Sequence, residues 1–202
     1  MKEKIRMVIV LVLTGALSAA FLSLVSAATA GRIAYNQEVK LKRSLLDVFG
    51  VSYTEATILD VFERNILSEP YKEMSIYKYV PQGSGGVQGV AFPVRGAGFW
   101  GPISGILALE SDLVTIRGIK ILEHSETPGL GGRIAEPEFQ GRFSGKSVQG
   151  NFEIVAYAKA KDESQVDAIT GATETSKALE RILKNNIARF YELVEDKHIT
   201  VK

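Results

Sequence analysis

The sequence contains no cysteine, and this absence excludes several kinds of site. Iron–sulfur clusters, thiolate zinc sites, thioether-linked haem, disulfide bonds and a cysteine-linked lipid anchor all require a thiol. Histidine is scarce as well, with only His124 and His198 in the chain, so a histidine-rich metal centre is also excluded. A hard cation held by carboxylates is left open, but we assign no metal-ligating residue. Any redox chemistry must therefore come from an organic cofactor.

Excess charge of either sign is also lacking. Lysine and arginine total 24 and aspartate and glutamate total 23, which gives a formal net charge of +1. A polyanion is held mainly by positive charge that displaces its counterions. We therefore expect no nucleic-acid partner.

One long segment has no charged residue at all. It runs from Met7 to Ala30 and follows Lys2, Lys4 and Arg6. As a helix it is about 36 Å long, which exceeds the ~30 Å hydrocarbon thickness of a bilayer. The alternative is a cleaved signal peptide, but the apolar region of such a peptide is only about 7 to 15 residues long. We predict an uncleaved transmembrane helix, whose orientation the balanced flanking charges do not fix.

Small residues recur every four positions along this span, at Gly15, Ala19, Ser23 and Ala27. A ridge of small side chains allows a second helix to approach closely in the membrane. In an alanine-rich span the spacing also arises by chance. Both interpretations stay open on the sequence alone.

The rest of the chain has the length of a single domain. Apolar residues between Tyr35 and Phe49 have roughly helical spacing, and Gly50 ends the pattern, so we expect a stalk helix. The predicted organisation is a cytoplasmic tail, a transmembrane helix, a stalk helix and a folded domain, at residues 1–6, 7–30, 31–50 and 51–202.

Short strands are predicted within the domain. Residues 54–65 form a short helix, and branched residues in 103–109 and 113–122 flank a polar turn, which indicates an antiparallel hairpin. Further strands are expected at residues 75–80, 86–94 and 152–158. A succession of short strands before a long helix predicts an α+β fold.

The C-terminal helix has the clearest pattern. Its apolar residues follow a spacing of three or four: Leu179, Ile182, Leu183, Ile187, Phe190 and Val194. This spacing places them on one face, which we expect to pack against the sheet.

Hydroxyl residues and a glycine crowd the start of this helix. The segment Asp167–Thr173 reads Asp-Ala-Ile-Thr-Gly-Ala-Thr and is followed by Glu-Thr-Ser. Taken singly, each of these residues is typical of a helix cap or turn. Together they lie where unpaired N–H groups and the positive end of the helix dipole favour an anion such as a phosphate.

This segment resembles the flavinylation motif Asp-x-x-Ser/Thr-Gly-Ala-Thr. The motif is typical of the FMN-binding domain in the G subunit of the Rnf complex and the C subunit of the sodium-translocating NADH:quinone reductase. The resemblance implies that Thr173 carries FMN through a phosphoester bond. It also implies that Asp167, Thr170, Gly171 and Ala172 serve recognition by a flavin transferase.

Neighbouring residues of the motif are assigned secondary roles. Thr175 is the fallback acceptor for FMN, because it is the nearest other hydroxyl. Ser176 and Lys177 are candidate phosphate contacts, Lys177 being the weaker candidate.

A second segment, His124–Gly131, resembles the family's His-x-Glu-Thr-Pro-Gly-Leu-Gly loop. Turn geometry explains its proline and glycines but not its Glu and Thr. The resemblance implies that the loop lines the flavin ring, with Glu126, Thr127 and Leu130 as candidate ring contacts. We expect His124 to be a structural hydrogen-bonding residue.

A third segment, Gly96–Pro102, is similar to the family's glycine-rich turn with a central tryptophan. The turn either brings backbone close to a planar ring or lets Trp100 fill the core, and we favour the core because tryptophan is highly buried on average. The same glycines match the spacing of a dinucleotide fingerprint. No helix follows them, so we interpret the match as accidental.

The resemblance spans the chain from the apolar segment to the last helix. It implies an electron-carrier subunit with covalent FMN, not a stand-alone enzyme, on the outer face of the cytoplasmic membrane. Its partners are the integral membrane and flavin-bearing subunits of an ion-translocating ferredoxin:NAD oxidoreductase and a flavin transferase. The compact length favours the Rnf protein.

Three alternatives to this function are kept. The first two are the quinone-reductase C subunit and another tethered FMN carrier. The third belongs to a different class, a cofactor-free membrane-anchored binding or assembly protein.

Overall fold

The computed structural model describes residues 2–71 and 74–197. The chain divides into two units, Met1–Lys40 and Leu41–Lys202. The described part of the first unit belongs to helix α1, Lys2–Phe49. Its apolar portion is long enough and apolar enough to cross a membrane, and none of that portion is buried by the protein. An apolar N-terminal helix is thus confirmed.

The second unit contains a five-stranded antiparallel meander whose spatial order follows the chain order. Its strands are β1 Ile66–Tyr71, β2 Met74–Tyr79, β3 Gly89–Ala97, β4 Pro102–Glu110 and β5 Ile116–Glu123. The helices are the end of α1, α2 Ile58–Asn65, α3 Pro137–Gly141 and α4 Thr173–Lys197, with a 3₁₀ turn at Gly131–Ala135. The predicted α+β class is confirmed.

Two short strands lie outside the meander. Strands β6, Glu153–Val155, and β7, Gln165–Asp167, pair in parallel. The predicted strand over residues 152–158 is therefore too long, and its partner is not antiparallel. β7 ends at the first residue of the motif, so this pair leads the chain directly to the start of α4.

Helix α4 covers one face of the meander, as its apolar spacing predicts. Phe92 of β3 and Phe190 of α4 stack with ring centroids 4.3 Å apart. Leu179, Leu183 and Phe190 are almost fully buried. Burial of this face supplies the hydrophobic stabilisation that holds the start of α4 in place.

The last turns of α1 cover the opposite face. Leu45, Leu46 and Phe49 are almost fully buried, and the Phe49 ring stacks on Tyr79 at 4.9 Å. The guanidinium of Arg117 on β5 donates to the Phe49 carbonyl over 3.0 Å. By packing, the residues from Leu41 onward belong with the folded domain, while the predicted boundaries at residues 31 and 51 stay predictions.

Candidate functional site

A cleft of about 290 Å³ opens at the start of α4. Three segments line it: the β3–β4 turn, the loop after β5 and the first turn of the helix. The lining residues are Phe99, Trp100, Thr127, Leu130, Gly131, Gly171, Ala172, Thr173, Glu174 and Thr175. Typical small-molecule pockets range from about 300 to 1,000 Å³, so this cleft is large enough for part of a ligand, the remainder of which stays exposed.

The turn before α4 is held from inside by Ser176. Its hydroxyl donates to the carbonyl of Ala172 over 2.9 Å and accepts the N–H of Ile169 at 3.2 Å. Gly171 has φ +80°, in the left-handed region that favours glycine. Ser176 is 1% exposed and shapes the turn through these two bonds, while its predicted phosphate contact stays a prediction.

The two candidate acceptor residues of α4 both line the cleft, but they differ in exposure. Thr173 is exposed and lines the cleft. Thr175 is 3% exposed, and its hydroxyl donates to Oε2 of Glu126 over 2.6 Å. The Thr175 hydroxyl is therefore directed to the buried Glu126 carboxylate and not to solvent. The structure thus disfavours Thr175 as a fallback acceptor.

Glu126 is a buried hydrogen-bond acceptor, not a wall of the cleft. Its side chain is 3% exposed. Oε1 accepts the backbone N–H groups of Phe99 at 2.8 Å and Trp100 at 3.1 Å. Both carboxylate oxygens are thus occupied by donors of the protein itself, and a contact of Glu126 with a flavin ring stays a prediction.

Phe99 and Trp100 form an aromatic pair at the edge of the cleft. Their rings meet edge to face at 5.2 Å, and Trp100 is 67% exposed and Phe99 53%. The expectation that Trp100 fills the core is therefore wrong: the tight turn around Gly98 and Gly101 directs both rings outward. Phe99 was not predicted from the sequence as a site residue. The only signal for it was an aromatic pair between two glycines.

Thr127 and Leu130 lie in the loop after β5 and line the cleft, and their contact with a flavin ring stays a prediction. The N–H of Leu130 donates to the Thr127 carbonyl over 3.2 Å, and the N–H of Gly132 donates to the same carbonyl at 2.9 Å. These bonds keep the Leu130 side chain opposite the first turn of α4.

The remaining motif residues have different placements. Oδ1 of Asp167 accepts the N–H groups of Lys159 and Ala160 at 2.9 and 3.0 Å, so in the folded chain this carboxylate closes the loop before β7. Thr170 is exposed outside the cleft lining. Lys177 is exposed and forms an ion pair at 3.4 Å with Glu174, a residue of the cleft lining.

His124 has a structural partner. Its Nδ1 accepts the N–H of Glu126 at 3.3 Å and so shapes the loop; His198 lies outside the described residues. Within residues 2–71 and 74–197, no group of three or more His, Cys, Asp or Glu side chains is arranged to hold a metal ion.

The cleft fits a planar cofactor that carries a phosphoryl group. Exposed aromatic rings supply an apolar edge, and the first N–H groups of α4 lack partners within the helix. An exposed hydroxyl, that of Thr173, stands at the same helix start. The fold brings these features together from segments that are distant in the sequence.

Comparison with known proteins extends these observations. Residues 98–188 match the family model of the FMN-binding domain. The G subunit of the ion-translocating oxidoreductase complex of Methanosarcina acetivorans is 29% identical over 178 residues, covering 88% of this chain and 89% of that protein. The C subunit of the Na⁺-translocating NADH-quinone reductase of Pseudomonas aeruginosa is 35% identical over 128 residues, covering 59% of this chain and 49% of that one. The chain thus spans about half the length of this second relative.

A solved structure shows the same fold. The crystal structure of Shewanella oneidensis NqrC superposes with a TM-score of 0.66 at 23% identity, covering 73% of this chain and 90% of that one. At this identity the likeness concerns the fold alone. The matched region of the family model includes every residue that lines the cleft.

Proposed function

Because residues 98–188 match the family model of the FMN-binding domain, we propose that this chain is a membrane-anchored electron carrier with FMN esterified to Thr173. When bound, a flavin supplies reversible electron transfer, with a potential that depends on the surrounding protein groups. The chain itself supplies the anchor, the attachment hydroxyl and the walls of the cleft.

The opposite exposure of Thr173 and Thr175 is the observation that supports this proposal. An ester requires an accessible hydroxyl oxygen, which loses its proton as the bond to phosphorus forms. Thr173 meets this condition, whereas the hydroxyl of Thr175 is buried and bonded to Glu126. The flavin transferase implied by the motif would take the FMN group from a flavin dinucleotide, whose pyrophosphate bond breaks as the new ester forms and whose nucleoside monophosphate leaves.

The first turn of α4 suits the phosphoester by its charge. The N–H groups of a helix start and the helix dipole stabilise an anion there. Glu174 contributes the one carboxylate among the cleft-lining residues, and its ion pair with Lys177 offsets that charge. Among the cleft-lining residues, a phosphodiester therefore meets no unbalanced negative side chain.

We further propose that the chain is part of an Rnf-type complex. The match to the Methanosarcina G subunit extends over almost the full length of that protein, while the match to the Pseudomonas reductase protein extends over half of it. The proposed partners are integral membrane subunits of the same complex, with α1 as a single-pass anchor and the folded domain outside the cytoplasm. A quinone-reductase C subunit is the alternative within the same family.

Attachment is tested on protein produced in its native host together with the proposed flavin transferase. After denaturation, the band should show flavin fluorescence, and a tryptic peptide spanning residues 162–177 should carry the mass of FMN. Because this peptide contains Thr170, Thr173 and Thr175, fragmentation spectra must locate the group. Covalent flavin should disappear in Thr173→Val and persist in Thr175→Val.

Two results would overturn the proposal. Flavin retained on Thr173→Val would move the acceptor to another residue. A colourless, unmodified wild-type protein from the same host would favour the cofactor-free binding or assembly protein. Complex membership is tested separately by crosslinking in membranes and identification of the captured subunits.

A further inference from the structure

Three segments that are distant in the sequence meet at the carboxylate of Glu126. Oε1 accepts the N–H groups of Phe99 and Trp100, at 2.8 and 3.1 Å, and Oε2 accepts the hydroxyl of Thr175 at 2.6 Å. Glu126 and Thr175 are each 3% exposed. The β3–β4 turn is thereby connected to the first turn of α4 through one side chain.

The packing around this carboxylate leaves no room for extra atoms. A Cβ at Gly98 would lie 2.5 Å from Oε1 of Glu126. A Cβ at Gly131 would overlap the hydroxyl of Thr175 and lie 3.0 Å from Oε2 of Glu126. The space that this network occupies thus explains why positions 98 and 131 are glycine.

Burial of the Glu126 carboxylate costs free energy unless all of its hydrogen-bond donors are present. A buried carboxylate is costly to remove from water without compensating donors, and hydrogen bonds to a charged acceptor are stronger than neutral ones. Here two N–H groups and one hydroxyl supply that compensation. Removing one donor therefore leaves the carboxylate under-satisfied and allows it to shift.

We infer that Glu126 is a positioning residue, which with Thr175 fixes the Phe99–Trp100 turn against the start of α4. It sets the distance between the aromatic edge of the cleft and the attachment residue Thr173 without contacting the cofactor. The network itself is a property of the polypeptide. Its consequence for the flavin rests on the proposed function.

The network is tested first by amide hydrogen exchange, measured by NMR on the detergent-solubilised full chain without flavin. In Glu126→Ala the amides of Phe99 and Trp100 lose their acceptor, and their protection should fall by about ten- to a hundredfold. Thr175→Val replaces the hydroxyl by a methyl group of similar size, and we expect a smaller loss at the same two amides, restored by Thr175→Ser. Thr170→Val, at an exposed threonine of the same segment, is the matched control and should leave the protection unchanged.

The second test uses flavin-loaded protein from the native host. Visible circular dichroism of the flavin depends on the asymmetry of its surroundings, so Thr175→Val should alter the spectrum and shift the reduction potential, and Thr175→Ser should restore both. A general loss of folding would not be reversed by this conservative variant. If Glu126→Ala does not fold, the pair of Thr175 variants decides the question.

The outcomes separate this inference from the proposed function. Unchanged protection of Phe99 and Trp100 in Thr175→Val, together with an unchanged flavin spectrum, would overturn the positioning role even if FMN is attached. If the wild-type protein carries no flavin, the exchange measurement still decides whether the network holds the turn. Loss of protection in the control Thr170→Val to the same extent would also overturn the assignment, because the effect would then not be specific to the network.

Discussion

The guanidinium of Arg142 donates to the carbonyl oxygen of Ala168 over 3.2 Å, and this contact fixes the segment that leads to the cleft. The same Nη1 donates to the carbonyl of Asp167 at 3.3 Å, while Nη2 pairs with Glu138 at 2.8 Å. Arg142 follows α3, so it connects that short helix to the motif before α4. No feature of the sequence alone pointed to this residue.

We expect Arg142→Gln to destabilise the domain by about 1–3 kcal/mol, because partly buried carbonyls lose a charged donor. Lysine is not an adequate replacement, since it lacks the planar fork that reaches two carbonyls at once. Denaturant unfolding of the solubilised protein measures the effect. Arg133→Gln is the control, because it removes only a surface ion pair with Glu136 and should cost less than about 1 kcal/mol. Equal losses in the two variants would contradict the role of Arg142.

Elements governed by local pattern were predicted well. The apolar N-terminal segment and the regular spacing from Leu179 to Phe190 predicted two helices that the structure contains. The hairpin of β4 and β5 followed from branched residues on both sides of a polar turn. In each case the pattern that predicts the element lies within a few consecutive turns or residues.

Features that depend on distant partners were not predicted. Glu126 was interpreted as a candidate ring contact from the loop resemblance. Its hydrogen-bond donors could not be predicted, because they lie 26 to 49 residues away and no spacing rule connects them. Trp100 was assigned to the core from its average burial, which says nothing about the direction of a particular turn. Strands β6 and β7 have three residues each, too few for an alternating pattern to indicate their parallel pairing.

The contact between β3 and α4 leads to a second prediction, at Gly96. A Cβ there would lie 2.5 Å from Cγ1 of Ile182, so Gly96→Ala forces the helix or the strand to move. We expect a loss of about 1–3 kcal/mol in unfolding free energy, as for overpacked cores. Gly141→Ala is the control: it has open space around a new Cβ and, at the end of α3, should be neutral or stabilise the protein by about 0.4–1 kcal/mol. A stable Gly96→Ala protein would show that the sheet and α4 are not closely packed at this point.

A third prediction concerns Tyr53, which follows α1. Partial burial and a hydrogen bond to Asp47, at 2.7 Å, together with the negative charge of that carboxylate, raise the pKa of Tyr53 to about 12. Because the pKa is raised on folding, the protonated phenol contributes stability that is complete below the unfolded value of ~10. This contribution is lost as the pH rises through the folded value.

The titration is followed by phenolate absorbance, with unfolding measured in parallel over the same alkaline range. In Tyr53→Phe, the stability should decline less steeply between about pH 10 and 12, and one late-ionising phenol should be missing. Asp47→Asn removes the charged acceptor and should lower the pKa of Tyr53. If the alkaline stability profile of Tyr53→Phe matches that of the wild type, the proposed coupling between Tyr53 and Asp47 is absent.

The last prediction concerns the topology of the chain, and it uses the absence of native cysteine. Lys161→Cys places a thiol in an exposed loop before β7, and Lys4→Cys places one on the other side of the apolar span. In spheroplasts with a membrane-impermeant maleimide, Lys161→Cys should be labelled at once, and Lys4→Cys only after permeabilisation. The reverse pattern would place the domain in the cytoplasm. A mature protein that never shows a label in Lys4→Cys, with a correspondingly smaller mass, would indicate a cleaved signal peptide, because only an uncleaved anchor keeps that residue.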